Sequence, residues 1–127
     1  MMLMLAFVAA KAQIIDIRTE NTQMVLSVNS QSQLLFLHYG GVTDDPQIFA
    51  DLKTNRRKDH EADPMAYGTV GGRNTRLAAL AVTHSDGDIN TELAYKGHKS
   101  RENIPGIKVT EIMLEDKKKD MAVKLVY

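Results

Sequence analysis

The stretch Tyr67–Gly106, YGTVGGRNTRLAALAVTHSDGDINTELAYKGHKSRENIPG, carries most of the fold information in this chain. Within it, the apolar runs Leu80–His84 and Ile89–Tyr95 flank the polar segment SDGD at 85–88. Asp-Gly between two strand-like runs is a strong hairpin signal, because glycine accepts the positive φ that a tight turn needs. The stretch therefore predicts an antiparallel pair of strands, preceded by a glycine-rich loop and followed by a basic loop that Pro-Gly closes at 105–106.

Segments on both sides of this stretch also have the patterns of strands, because apolar residues recur at every second position or form short runs between turn residues. These segments are Ile14–Arg18, Met24–Val28, Leu34–Tyr39, Ile107–Leu114 and Met121–Tyr127. We therefore expect an all-β fold, an antiparallel β-sandwich with at least six strands and little helix. The expected core side chains are Leu35, Leu37, Leu80, Val82, Leu93, Ile112, Val123 and Leu125. One face of the last strand, which begins at Met121, is expected to lack an opposite sheet.

The segment Val42–Met65 differs from the rest, with little alternation, two Asp-Pro steps and many charges. It is expected to be one long irregular loop with a helical turn around Gln47–Leu52. Asp45 is the expected cap of that turn, and Pro46 suits the first helical position. Because long loops in compact domains are usually functional or disordered, this segment is the place where composition alone predicts a site or an interface.

Length and composition limit the class of protein. The 127 residues, 43% hydrophobic and 25% charged, suit one soluble globular domain. Sixteen basic residues balance 16 acidic ones, so the chain lacks the positive charge of a nucleic-acid binder and no nucleic-acid partner is expected. The chain has no cysteine, which excludes disulfides, thiolate metal sites and cysteine nucleophiles.

The N-terminal run Met1–Ala10, MMLMLAFVAA, is continuously apolar and leads into Ala-Lys-Ala at 10–12. This pattern is typical of the end of a secretory signal peptide, with cleavage after Ala12, although no Lys or Arg precedes the run. A buried first strand is the alternative. The run is too short to span a bilayer, so no membrane partner is expected. We therefore expect a signal-like segment at 1–12, a domain at 13–127, and export to the bacterial periplasm or the extracellular space.

For the other residues that could form a site, the sequence favours a structural role. The four histidines, at 38, 60, 84 and 98, are far apart in sequence and lack the close spacing of metal ligands. Asp86 and Asp88 resemble the start of a calcium loop, but the later ligand positions are missing, which favours a hairpin turn. No catalytic residue, metal site or cofactor is predicted from this chain.

The central stretch resembles the glycoside hydrolases of family 36, the α-galactosidases. Residues 79–87 match a strand of the form A-L-x-V-T-H-x-D-G, and residues 92–98 match the form D/E-L-x-Y-x-x-H. The loop at Tyr67-Gly68, the Pro-Gly step and the last two strands match in order and spacing, so the resemblance covers Ile15 to Tyr127. One departure is TRLAA at 75–79, where family members have F-x-E-P-A or F-R-E-P-A.

The resemblance implies a partial N-terminal β-sandwich domain of an enzyme that hydrolyses terminal α-galactosides with retention. The two catalytic aspartates of that family lie in a barrel beyond residue 127, so this chain alone is expected to be inactive. The expected partners are that barrel domain or a neighbouring subunit, the terminal galactoside held by the barrel, and further copies in a homo-oligomeric parent. In the family, an aspartate of the long loop contacts the sugar; Asp51 is the preferred counterpart and Asp59 the competitor.

A second hypothesis belongs to a different class, a free-standing β-sandwich module that binds a glycan or another protein. The two hypotheses differ in whether a barrel accompanies the sandwich in the same polypeptide.

Overall fold

The computed structural model describes residues 13–53, 64–70 and 77–127. These residues form two three-stranded antiparallel sheets and one short helix, which confirms the predicted all-β class. The first sheet contains β1 (Gln13–Arg18), β2 (Thr22–Val28) and β3 (Leu34–Gly41). The second contains β4 (Ala94–Ile104), β5 (Ile107–Asp116) and β6 (Met121–Val126). The helix α1 (Gln47–Lys53) follows β3.

The first sheet is a meander in the order β1-β2-β3, as the alternating pattern predicts. Ile15 lies opposite Leu26, so both side chains point to the same face of the sheet. The outer edge of β3 is covered by a short piece of chain: the N–H of Phe36 donates to the carbonyl of Pro64 (2.8 Å), and Leu35 forms a bridge with Met65.

The second sheet has the order β4-β5-β6 and begins with a long hairpin. Its turn is Pro-Gly at 105–106, where Gly106 has φ of 80°, a value that glycine adopts without steric cost. The Gly106 N–H donates to the Glu102 carboxylate at 2.8 Å, which fixes the turn. The sheet continues through the charged turn at 117–120 into β6.

The core lies between the two sheets. Its fully buried side chains come from both sheets and from the segment before β4: Ile15, Leu26, Leu34, Leu93, Ile112 and Leu114. Half-buried Met121, Val123 and Leu125 pack against them, so the β6 face that we expected to be uncovered is covered. The reason is that the two three-stranded sheets face each other within the described chain. The fold contains no helix among these residues that is long and apolar enough to cross a bilayer.

The eight predicted core residues divide into two groups. Leu35, Leu93 and Ile112 are buried. The other five are half-buried rather than buried: Leu37, Leu80, Val82, Val123 and Leu125. Val123 and Leu125 lie on an edge strand, which leaves one side of each residue open to solvent.

The predicted hairpin around the Asp-Gly step is only partly correct. The turn exists: the Gly87 N–H donates to the His84 carbonyl at 2.9 Å, and Gly87 has φ of 81°. The flanking runs do not form a regular strand pair, because the Thr91 N–H bonds to the carbonyl of Val70 instead of pairing across the turn. The predicted basic loop after residue 95 is instead strand β4, whose exposed polar residues hide the alternation.

Candidate functional site

The segment after β3 is attached to the first sheet through the buried side chain of Gln23, which has 0% exposure. Its amide oxygen accepts a hydrogen bond from the Thr43 N–H at 2.9 Å, and its amide nitrogen donates to the Asp16 carboxylate at 2.8 Å. A buried amide is costly unless both its donor and its acceptor are used. Gln23 therefore ties the first residues of the segment to β1 and β2.

The N-terminus of α1 has the predicted cap. The Asp45 carboxylate accepts a hydrogen bond from the Gln47 N–H at 3.0 Å, and the Pro46 carbonyl accepts from the Phe49 N–H at 3.3 Å. Proline fits at the first helical position because the N–H it lacks would have no intrahelical partner there. The predicted helical turn at Gln47–Leu52 is confirmed, and the helix extends one residue further.

The helix is held against β3 by an aromatic stack. The ring of Phe49 lies parallel to that of His38, with centroids 4.0 Å apart and planes 7° apart. Gly40 makes room for this imidazole, because a Cβ at residue 40 would lie 2.9 Å from Cε1 of His38. Strand β3 thus presents an aromatic platform that sets the position of α1.

Asp51 lies on the exposed side of α1, one turn after Gln47. One of its carboxylate oxygens accepts a hydrogen bond from the Gln47 side-chain amide at 3.3 Å. Two apolar side chains of the same helix, Ile48 three positions before Asp51 and Leu52 directly after it, are 48% and 60% exposed. A carboxylate can accept hydrogen bonds from two sugar hydroxyls, and apolar neighbours can cover a sugar's C–H face. Asp59, the competing candidate, lies outside the described residues.

A second group of charged residues holds the turn at 84–91. The Lys119 ammonium contacts the carboxylates of Asp86 (2.6 Å) and Asp88 (2.9 Å), and its side chain is only 15% exposed. Hydrogen bonding to Lys119 lowers the pKa of Asp86. The backbone N–H of Asn90, followed by Lys119, lowers the pKa of Asp88 to about 2. We call Asp86, Asp88 and Lys119 the turn latch.

Asp116, at the end of β5, binds backbone N–H groups on both sides of the turn latch. Its side chain is buried, and it accepts hydrogen bonds from the backbone N–H groups of Glu92 (2.8 Å), Lys118 (2.9 Å) and Lys119 (3.2 Å). Burial acts to raise its pKa, but these N–H donors together outweigh burial and lower the pKa of Asp116. Asp116 therefore joins the segment before β4 to the turn before β6.

The histidines make separate local contacts. His84 Nε2 lies 2.9 Å from the Thr91 hydroxyl, and His98 Nδ1 lies 2.7 Å from the Tyr95 hydroxyl. The fourth histidine, His60, lies outside the described residues. Across ranges 13–53, 64–70 and 77–127, no group of three or more acidic or histidine side chains is placed to hold a metal ion.

Sequence reasoning missed three important residues, namely Gln23, Asp116 and Lys119. Gln23 stands in a strand pattern as an ordinary polar residue, and the two others belong to a charged turn that looks like a solvated loop. The only local signal is at Asp116, since an aspartate just before a turn often accepts N–H groups of the next residues. The partners of Lys119 are about thirty residues away in sequence, which no local pattern indicates.

Comparison with known proteins shows which fold this is. No protein-family model and no curated protein sequence matches the chain. Solved structures match it over almost its whole length. The galactosidase domain of the α-galactosidase–sucrose kinase AgaSK is similar with a TM-score of 0.72 and 20% identity, over 90% of this chain.

Two further α-galactosidases give the same result. The enzyme from Lactobacillus brevis matches 93% of this chain with a TM-score of 0.76 and 14% identity. A variant of the family GH36 α-galactosidase AgaA from Geobacillus stearothermophilus, in complex with 1-deoxygalactonojirimycin, matches 91% with a TM-score of 0.73 and 19% identity. The chain spans only 20% of the length of each of these three proteins. It therefore has the fold of one portion of these α-galactosidases.

Proposed function

We propose that this chain is a non-catalytic, N-terminal β-sandwich portion of an α-galactosidase of the glycoside hydrolase family 36 type. The observation that carries the proposal is the match of 90% or more of the chain to one fifth of several α-galactosidases. The sequence motif around Thr83 and His84 points independently to the same family. The proposed parent hydrolyses terminal α-galactosides with retention of configuration.

The engagements of four described carboxylates are consistent with a non-catalytic role. Retaining glycosidases need two carboxyl groups about 5 Å apart, one on each side of the scissile bond. Asp86 and Asp88 are paired with Lys119, Asp116 accepts three backbone N–H groups, and Asp45 caps α1. The catalytic pair of the parent is therefore proposed to lie in its remaining four-fifths.

The proposed contribution of this chain is a sugar contact from the segment after β3. The Gln23 anchor and the His38–Phe49 stack fix α1, and α1 exposes Asp51. In the proposed arrangement, Asp51 accepts hydroxyl hydrogen bonds from a galactoside held by the catalytic domain or a neighbouring subunit of a homo-oligomer. Asp59 has the same proposed chemistry and competes for this role.

A chimeric enzyme tests this proposal. Residues 13–127 would replace the matching fifth of the Geobacillus stearothermophilus α-galactosidase, and hydrolysis of a chromogenic α-galactoside would be measured. We expect a soluble, active chimera whose KM rises at least about tenfold on Asp51→Ala, since a charge-assisted hydrogen bond of this kind contributes roughly 1.5–3 kcal/mol. Asp44→Ala, an exposed carboxylate of the same segment, is the matched control. Equal KM values for the two variants, with Asp59→Ala also unchanged, would refute the sugar contact.

One observation favours the second candidate, a free-standing binding module. Both sheets contribute to one core within this chain, as Ile15 and Ile112 show, so their inner faces cover each other. Titration of the isotopically labelled chain with galactose separates the candidates. A free-standing galactose-binding module predicts amide shifts clustered on α1, whereas the first candidate predicts none without the catalytic domain. The reading frame downstream of Tyr127 gives an independent answer, because an in-frame barrel supports the first candidate.

We also propose export, supported by the apolar run Met1–Ala10 and the Ala-Lys-Ala segment, which lie outside the described residues. Expression with a C-terminal tag in a bacterial host tests it. Export predicts a periplasmic product that begins at Gln13; an uncleaved cytoplasmic product would contradict it.

A further inference from the structure

The turn that begins at His84 contains a peptide step that is chemically predisposed to rearrange. Asp86 is followed by Gly87, and the sequence has no second Asp-Gly step and no Asn-Gly step. Where glycine follows aspartate, no side chain hinders the approach of the glycine nitrogen to the aspartate carboxyl carbon. The turn therefore combines a reactive pair of residues with the contacts of the turn latch.

The rearrangement is a cyclisation followed by hydrolysis. The Gly87 nitrogen forms a bond to Cγ of Asp86, and the carboxyl group loses its hydroxyl, which leaves with the former amide proton as one molecule of water. The product is a five-membered succinimide ring. Water then opens the ring at either carbonyl carbon, which restores aspartate or gives isoaspartate, whose peptide bond runs through the side-chain carboxyl. The final product has the same mass as the original chain, and no oxidant or reductant takes part.

Contacts within the turn oppose the first step of this reaction. Attack requires a free Gly87 nitrogen, but the Gly87 N–H donates to the His84 carbonyl at 2.9 Å. Attack also requires a protonated carboxyl group, because an ionised carboxylate has no hydroxyl to lose as water. Both carboxylate oxygens of Asp86 are engaged: Oδ1 accepts from the Asp88 N–H at 3.1 Å, and Oδ2 accepts from the Lys119 ammonium at 2.6 Å.

Lys119 is the main contact that keeps this carboxyl group ionised. Its hydrogen bond is the largest cause of the lowered pKa of Asp86, ahead of the Asp88 N–H. The ammonium is held in place because it also contacts the Asp88 carboxylate at 2.9 Å. The Asp86 side chain is 60% exposed, so the contact with Lys119 restrains it more than burial does.

We propose that Asp86–Gly87 is a modification site at which isoaspartate forms when the turn latch opens, and that Lys119 suppresses this reaction in the folded chain. Isoaspartate adds one backbone atom between residues 86 and 87 and leaves a shorter carboxylate side group. The Gly87 N–H and the carboxylate then no longer fit their positions in the turn. Opening of the latch, which is reversible, would thereby become a lasting change. This site is independent of the proposed function.

Isomerisation of the purified chain at about pH 5, where an ordinary aspartate is still partly protonated, tests the proposal. Trypsin releases the peptide 77–96, and Asp-N protease, which cuts before aspartate but not before isoaspartate, locates the change at residue 86. We expect isoaspartate to accumulate about tenfold more slowly in the folded chain than in the same chain unfolded in guanidinium chloride, the ratio given by one ordinary hydrogen bond.

Substitutions at residues 118 and 119 separate the latch from the general protection that folding gives. Lys119→Met removes the cation and should raise the rate in the folded chain several-fold, a modest factor because the Asp86 side of the pair is exposed to solvent. Lys118→Met removes an exposed pair with Glu92 and should leave the rate unchanged. Lys119→Arg supplies a cation again and should restore slow isomerisation.

Folding of each variant is checked by its urea denaturation curve, and rates are compared where every variant is fully folded. In guanidinium chloride all the chains should isomerise at the same rate, because the latch is then absent. Lys119→Gln, which keeps a hydrogen-bond donor but no charge, replaces Lys119→Met if the latter does not fold. Equal rates in the folded and unfolded unchanged chain, or equal rates in the folded unchanged chain and the folded neutral variant, would overturn the proposal.

Discussion

The ring of Phe49 lies flat on the ring of His38, with centroids 4.0 Å apart, and this contact fixes the helix that carries Asp51. Strand β3 can hold the imidazole there only because residue 40 has no side chain. The proposed sugar contact thus depends on Gly40, His38 and Phe49, which set the position of α1.

The glycine pair at the end of β3 offers a matched test of that dependence. In Gly40→Ala the new methyl group would lie 2.9 Å from the His38 ring, whereas Gly41→Ala places it in open space. We expect Gly40→Ala to displace the stack and to speed hydrogen exchange of the α1 amides several-fold, with the exchange of the core strands unchanged. Identical α1 exchange in the two variants would show that the stack does not hold the helix.

The polar side chain of Gln23 is expected to make a large contribution to the free energy of unfolding. Gln23→Leu leaves the Thr43 N–H and one oxygen of Asp16 without their partner in a partly buried region, which should cost about 1–3 kcal/mol of the free energy of unfolding. Gln31→Leu, in an exposed turn, should change it by less than about 0.5 kcal/mol. Urea denaturation measures both, and similar costs for the two variants would contradict the anchoring role.

The turn latch predicts loss of stability in acid. The folded-state pKa values of Asp86 and Asp88 lie below the ordinary value of 3.8, that of Asp88 at about 2. Because depressed carboxyl pKa values stabilise the fold above the unfolded pKa, this contribution is complete above about pH 4 and is lost as the pH falls towards 2.

Two neighbouring lysines allow the latch contribution to be isolated. Lys119→Met removes the shared cation and should flatten the decline of the urea midpoint between pH 4 and pH 2. Lys118→Met removes only an exposed pair with Glu92 and should leave the decline unchanged. The same steep acid decline in both variants would exclude the latch as its source.

Local patterns predicted the fold where apolar runs are bounded by polar turns. Strands β1, β2 and β3 were predictable because each is a short, largely apolar run that supplies buried residues, such as Ile15, Leu26 and Leu34. Strand β4 was not, because most of its side chains are exposed on both faces and only pairing with β5 keeps it extended. The Asp-Gly turn was predicted correctly, but the runs beside it do not pair as regular strands: the Thr91 N–H bonds to the Val70 carbonyl, and Lys119 contacts the turn itself.

The candidate site was predictable in part. Pro46 and Asp45 mark the start of α1 in the sequence, and Asp51 follows on that helix. The stack of His38 on Phe49 and the link from Gln23 to Thr43 join residues 11 and 20 positions apart in the chain, so they depend on how β2 and β3 pair. Side-chain geometry of that kind is a property of the folded sheet and has no local signature.

Hydrolysis of a chromogenic α-galactoside by the purified 127-residue chain tests the assignment of a non-catalytic role most directly. We expect no release of the chromophore above the uncatalysed rate, because the catalytic pair of the parent is proposed to lie outside this chain. The assay would be repeated with variants in which the loop aspartates Asp44, Asp45, Asp51, Asp59 and Asp63 are replaced. Turnover by the unchanged chain would contradict the non-catalytic role, and loss of that turnover in one variant would identify the catalytic residue.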